Sequence, residues 1–150
     1  MFELTSDTQT GLILFLGGTV FLILLSSPSQ LGYFAPHAPL NATGITCFAL
    51  GIFAVQAPTP PAGIRAARLA VHQRILLGFG LPAMAVGTSF MWYNKHVHDA
   101  PHYTTWHSWA GCTTLLWMIA QALVGGASVW FGGRALGGGM KAKAVYKYHR

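Results

Sequence analysis

Residues 8–64 contain no Asp, Glu, Lys or Arg, and the same holds for residues 75–94 and 100–133. Uncharged runs of this length exclude an ordinary water-soluble domain, in which about 25% of residues are charged. Here 8% are charged and 53% are hydrophobic. A bilayer core takes about 20 apolar residues per helical crossing, and a spanning segment must satisfy its own backbone polar groups. The runs therefore predict an all-α integral membrane helical bundle. Its four transmembrane helices fall near residues 10–26, 37–55, 71–93 and 107–131, within one domain covering 1–150, and Pro82 is expected to kink the third.

The leading segment MFELTSDT carries Glu3 and Asp7 and no Lys or Arg, the wrong sign for a cleavable signal, so the first helix is expected to be retained. Arg65, Arg68 and Arg74 sit at the second connection, and Arg134, Lys141, Lys143, Lys147 and Arg150 follow the fourth span. Four crossings put both groups on one side, with Lys95 alone on the other. The positive-inside rule then places the N-terminus and the Arg65 connection in the cytoplasm. The net charge of +6 thus reads as orientation in a lipid bilayer, and nucleic acid is not an expected partner because the charges flank membrane spans. Cys47 and Cys112 fall inside spans without metal-ligand spacing and read as packing residues. The sequon at Asn41 reads as a chance match within the membrane.

Histidine is the informative residue. Four of the seven lie between Asn94 and Gly111, in NKHVHDAPHYTTWHSWAG, and invite reading as a metal cluster. A different set is more regular: His37, His72, His107 and His149 follow one another at intervals of 35, 35 and 42 residues, each about one helix plus one loop. Successive members then alternate sides of the bilayer. His37 and His107 fall on the exterior side, His72 and His149 on the cytoplasmic side. Two imidazoles facing each other across a bundle can ligate a haem iron axially and fill its coordination sphere, which makes an electron carrier. The predicted spans hold no Asp or Glu, which argues against a proton pump or a metal transporter. Gly111, four positions after His107, and Gly44, seven after His37, lie on their histidines' helical faces and are expected to leave room for a flat macrocycle.

Four stretches resemble the cytochrome b561 family of transmembrane di-haem, ascorbate-dependent reductases, and its short members in particular. They are FAPHAPLNATGITCFALGIF around His37, RAARLAVHQRILLGFGLPAMAVG around His72, HYTTWHSWAGCTTLLWMIAQALVGG around His107, and KAVYKYH at His149. The resemblance implies two haem b cofactors, with iron held by His37 and His107 near the exterior and by His72 and His149 near the cytoplasm. It implies electron transfer from cytosolic ascorbate to monodehydroascorbate or ferric chelates outside. Arg65, Arg68 and Lys147 loosely resemble the basic set that holds the ascorbate anion, and His102 resembles a docking position for the acceptor. A homodimer is a further implication. Departures are Ala38 standing between His37 and Pro39, the absence of a Met soon after, and a chain that stops one residue past His149 where the family has six helices. The domain is therefore expected to be incomplete at its C-terminus, with His149 on a frayed end. The alternative reading is a non-catalytic membrane fragment or scaffold, or a metal-ion-binding protein using the loop histidines. In the leading reading His96 and His98 are solvated polar residues.

Overall fold

A computed structural model of the chain describes residues 6–56 and 62–149, which form helices and turns and, among these described residues, no strand. Glu3 and Arg150, both used in the charge argument, lie outside the described residues. The helices are α1 (Ser6–Leu25), a single turn α2 (Pro28–Leu31), α3 (His37–Val55), α4 (Ala62–Ile75), α5 (Leu81–Val97), α6 (Trp106–Val129) and α7 (Gly139–Tyr146). A π-helical turn, Leu76–Gly80, joins α4 to α5 without a break. Four spans are long and apolar enough to cross a membrane: Asp7–Leu25, His37–Val55, Gly63–Val97 and Trp106–Leu136. The all-α membrane bundle expected from the sequence is therefore the fold found.

Two differences from that expectation matter. The third span begins near Ala62, not residue 71, so Arg65 and Arg68 lie on a helix instead of in a connection. At Pro82 the structure has a π-helical turn immediately ahead of the proline. Proline lacks the amide proton and crowds the preceding turn, and one wider turn is a common way for a helix to absorb such a defect.

The chain falls into two units, Met1–His102 and Tyr103–Arg150. In the first, α3 runs against α4, the π-helical turn and α5, and α1 packs on α3. The contact is lined with small residues. Ala42, Gly44, Thr46, Gly51 and Ala54 are buried on α3, and Gly80, Met84 and Gly87 on the facing segment. A Cβ on Gly44 would run into Met84 Cγ and come within 3.0 Å of the Gly80 carbonyl. Gly44 is thus a helix-contact residue, which corrects the expectation that it leaves room for a macrocycle. The large apolar side chains point outward, Leu14 at 68% and Phe21 at 60% exposure among them. That is the inverse of a soluble protein and suits a hydrocarbon solvent, where small residues let helices approach and large ones meet lipid.

In the second unit α6 ends at a reversal. Phe131, Gly132 and Gly133 take left-handed φ values of 53°, 67° and 72°, and α7 folds back onto α6. Gly133 has no substitute here, because a Cβ would collide with the Ala142 methyl and lie 3.0 Å from the Ser128 carbonyl. Ala142, Val145 and His149, at i, i+3 and i+7, put one face of α7 and its continuation against α6, with Ala142 2% exposed. The expectation of a frayed end at His149 is corrected: the structure holds that histidine against a helix.

Gly44→Ala is expected to destabilise the first unit by about 1–3 kcal/mol, the usual cost of overpacking a tight contact. Gly18→Ala on α1, where nothing lies within 4 Å of the added methyl, is expected to be neutral or to stabilise by up to about 1 kcal/mol through helix propensity. Unfolding in mild detergent as SDS is added compares the two variants with the parent.

Candidate functional site

His37 opens α3, and its Nδ1–H donates to the Gly87 carbonyl on α5 at 2.9 Å. His72 lies on α4, and its Nδ1–H donates to the Gly51 carbonyl on α3 at 2.8 Å. The donor assignment follows from chemistry, since a carbonyl oxygen has no proton to offer. The two hydrogen bonds are reciprocal: each helix gives an imidazole to its neighbour and takes one back. From His37 to Gly51 the rise along α3 is about 21 Å at 1.5 Å per residue. The structure therefore sets His37 and His72 at two levels of the first unit.

Asn41 stands one turn beyond His37, and its amide donates to the His37 carbonyl at 2.7 Å. Phe34 lies beside the His37 ring, 6.0 Å between centroids. Arg65 and Arg68 precede His72 by seven and four positions and so share its face of α4. Arg68 is half-buried. Its Nη1 is shielded from solvent and finds no hydrogen-bond partner among the described residues.

The second unit holds His107 and His149. His107 is the second residue of α6, whose start is fixed by a reciprocal cap: the Thr105 hydroxyl accepts from the Ser108 amide, and the Ser108 hydroxyl accepts from the Thr105 amide, both at 3.2 Å. One turn further, a Cβ on Gly111 would meet nothing within 4 Å among the described residues. His149 follows α7, and its ring lies on Gly125 of α6. A Cβ there would come within 2.6 Å of the ring. Gly125 lies about 27 Å beyond His107 along α6. Each unit thus carries two histidines at separate levels. Lys147, just before His149, is exposed, with its ammonium over the Tyr148 ring at 4.8 Å.

The histidine-rich segment divides differently. Among the described residues no group of three or more His, Cys, Asp or Glu side chains is placed to hold a metal ion. His96 belongs to the last turn of α5 instead of a loop, and it stacks on Trp92, 5.6 Å between centroids at 7°. His102 stacks on the same indole at 5.8 Å and 25°. His98 caps α5 and donates from Nδ1 to the Asn94 carbonyl at 2.7 Å. Lys95 Nζ donates to the Pro101 carbonyl at 2.9 Å and ties the loop down. In the second unit the hydrogen bond to Cys112 pushes the Tyr103 phenol above its ordinary range, and Tyr103 packs on Trp109 at 5.6 Å. Sequence reasoning misses Trp92, and it misses Gly51, Gly87 and Gly125 as the surfaces against which three of the histidines rest. The step from His37 to Gly51, close to four helical turns, is the available signal.

The residues present fit a haem. A haem-binding histidine offers an Nε2 lone pair and carries its proton on Nδ1, usually donated to a carbonyl or carboxylate. His37 and His72 both make the Nδ1 contact of that form. Gly111, one turn from His107, bears no side chain and has clear space around it, which is compatible with a flat macrocycle. No curated protein and no solved structure matches the chain. The family model for eukaryotic cytochrome b561 matches residues 62–149. That segment contains His72, His107 and His149, while His37 precedes it. Spanning more than half the chain and three of its four spaced histidines, the match makes this protein a member of the cytochrome b561 family, membrane oxidoreductases that transfer electrons through haem.

Proposed function

We propose that the chain carries electrons from cytoplasmic ascorbate to monodehydroascorbate or a ferric chelate on the exterior side, through two b haems. His37 and His107 ligate one, and His72 and His149 the other. The observation that carries this reading is the reciprocal placement of His37 and His72, about 21 Å apart along α3 and each oriented through Nδ1 to present Nε2. Haem supplies a one-electron iron couple whose coordination sphere two histidines close, so electrons pass without an open position for oxygen.

The side chains of this protein do the rest. Arg65 and Arg68 share a helical face with His72 and supply positive charge for the ascorbate anion, with Arg68 Nη1 the atom withdrawn from water for that purpose. Lys147 adds a cation near His149 in the sequence. Toward the other end of the long third span, the Trp92 indole carries His102 on its ring, a flat surface with a polar edge on which an acceptor can dock. The basic connections favour the cytoplasmic side for the Arg65 end.

Protein purified from haem-replete cells is expected to hold two haems per chain, to show a Soret band and b-type reduced-minus-oxidised peaks, and to be reduced by ascorbate. His37→Ala and His107→Ala are each expected to leave one haem. Absence of a Soret band from the unmutated protein would overturn the reading.

Arg68→Gln nearly keeps the length of the side chain and removes the charge. A hydrogen bond to a charged group contributes about 1.5–3 kcal/mol, so the KM for ascorbate is expected to rise roughly tenfold or more with haem content unchanged. An unaltered KM would remove Arg68 from the donor site.

A further inference from the structure

The sequence step between each histidine and the glycine on its own helix differs between the two partners, yet the two hydrogen bonds are alike. The step from His37 to Gly51 on α3 is one position shorter than the step from His72 to Gly87 on the facing segment. At about 100° per residue, the shorter step falls roughly 40° short of four full turns, while the longer overshoots by roughly 60°. Two regular antiparallel α-helices with those offsets could not both aim an imidazole at the other's carbonyl. The single π-helical turn, Leu76–Gly80, lies between His72 and Gly87 and takes up the additional residue. The contacts along the seam show the compensation. Gly51 meets Leu76, Gly80 meets Cys47 and Phe48, Gly44 meets Met84, and Gly87 meets Leu40 and Asn41. The α3 seam advances by threes and fours, whereas the facing seam, 72-76-80-84-87, advances by four until its last step.

The approach at both ends is too close for a side chain. A Cβ on Gly51 would lie 2.9 Å from Leu76 Cγ and Cδ2, and one on Gly87 would lie 2.9 Å from Leu40 Cβ and 2.7 Å from Asn41 Nδ2. Only a residue without a side chain lets its carbonyl reach the imidazole at 2.8–2.9 Å. A carbonyl that accepts from Nδ1–H raises the basicity of the ring and so stabilises the ferric state of a haem bound through Nε2.

We infer that Gly51 and Gly87 are positioning residues for the two haems, one each: their carbonyls orient His72 and His37 and lower the potential of the haem each ligates, in a register set by the π-helical turn. This rests on the haem ligation proposed above. The histidines contact the iron; the glycines act through them.

Redox titration of the haem-loaded protein tests it. Gly51→Ala is expected to raise the midpoint potential of the His72 haem alone, and Gly87→Ala that of the His37 haem alone, the two being told apart by which signal His37→Ala removes. Adding Leu76→Ala to Gly51→Ala removes the atoms the new methyl would strike and is expected to return the potential toward the parent value, which a general loss of packing would not do. Deleting Phe79, a 65% exposed residue of the π-helical turn, makes the two steps equal in ordinary α-helix and is expected to keep both haems at their parent potentials. Deleting Ile45 from α3, which has no wider turn to absorb the change, is expected to lose haem. Unmoved potentials in both alanine variants, or loss of haem on deletion of Phe79 with Ile45 deletion tolerated, would overturn the inference while leaving haem ligation standing. A parent protein without haem would overturn both.

Discussion

Helix α3 approaches the α4–α5 segment closely enough for an imidazole on one to reach a main-chain carbonyl on the other. Everything assigned to this chain depends on that approach. In hydrocarbon there is no hydrophobic force to press helices together, so contact comes from packing and from hydrogen bonds that would otherwise go unmade. Glycine provides both here. Its missing side chain brings the backbones close, and its carbonyl, already the acceptor of a helical hydrogen bond, keeps a second lone pair for the histidine. Met84, buried against Gly44, fills the gap that remains midway along the seam. Substituting bulk at Gly44, midway between the two histidine contacts, would push the helices apart and lengthen both together.

The polar residues are distributed by the same solvent. Arg65, Arg68 and Arg74 sit at the start of a long span, where aliphatic stems can lie along apolar surface while charge reaches the interface. Aromatic residues are concentrated at the end of α5 and the start of α6: Trp92 and Tyr93 in the first unit, with Tyr33 meeting Tyr93 edge-on at 4.8 Å, and Trp106 and Trp109 in the second. Amphipathic rings of this kind favour the headgroup level, and the dense histidine segment beside them forms no metal cluster among the described residues. His96 and His102 rest on an indole, whereas His37 and His72 are bonded to carbonyls on neighbouring helices.

Much of this is legible in the sequence, for identifiable reasons. The uncharged runs define the four spans because a bilayer leaves few other solutions, and the equal spacing of His37, His72 and His107 follows from the length of one helix plus one connection. Gly111 is legible because an open helical face is a local property. Gly44 is not, because what fills the space beside a glycine belongs to another helix, in this case Met84. The start of α4 is hidden since charge usually marks a connection in a membrane chain, while Ala66, Ala67, Leu69 and the arginines are all good helix formers. The short helix α7 is hidden for a similar reason: its glycine-rich approach reads as a loop, and its stripe of Ala142, Val145 and His149 gains meaning only beside α6. The paired carbonyls of Gly51 and Gly87 escape notice because backbone groups leave no signature in residue identity.

An antiparallel pair of helices has a property that suits electron transfer across a membrane. A local unit, one histidine plus a carbonyl about four turns along, occurs once on each member of the pair, and antiparallel packing sends the two copies to opposite ends. The same contact that joins the helices therefore places one candidate ligand toward each face of the bilayer, without a separate device for either. The arrangement requires equal offsets on both helices, and the sequence makes one of them longer by a single position. A wider turn beside Pro82 reconciles them, so a feature that would otherwise be a defect in the third span becomes the element that keeps two distant imidazoles in register.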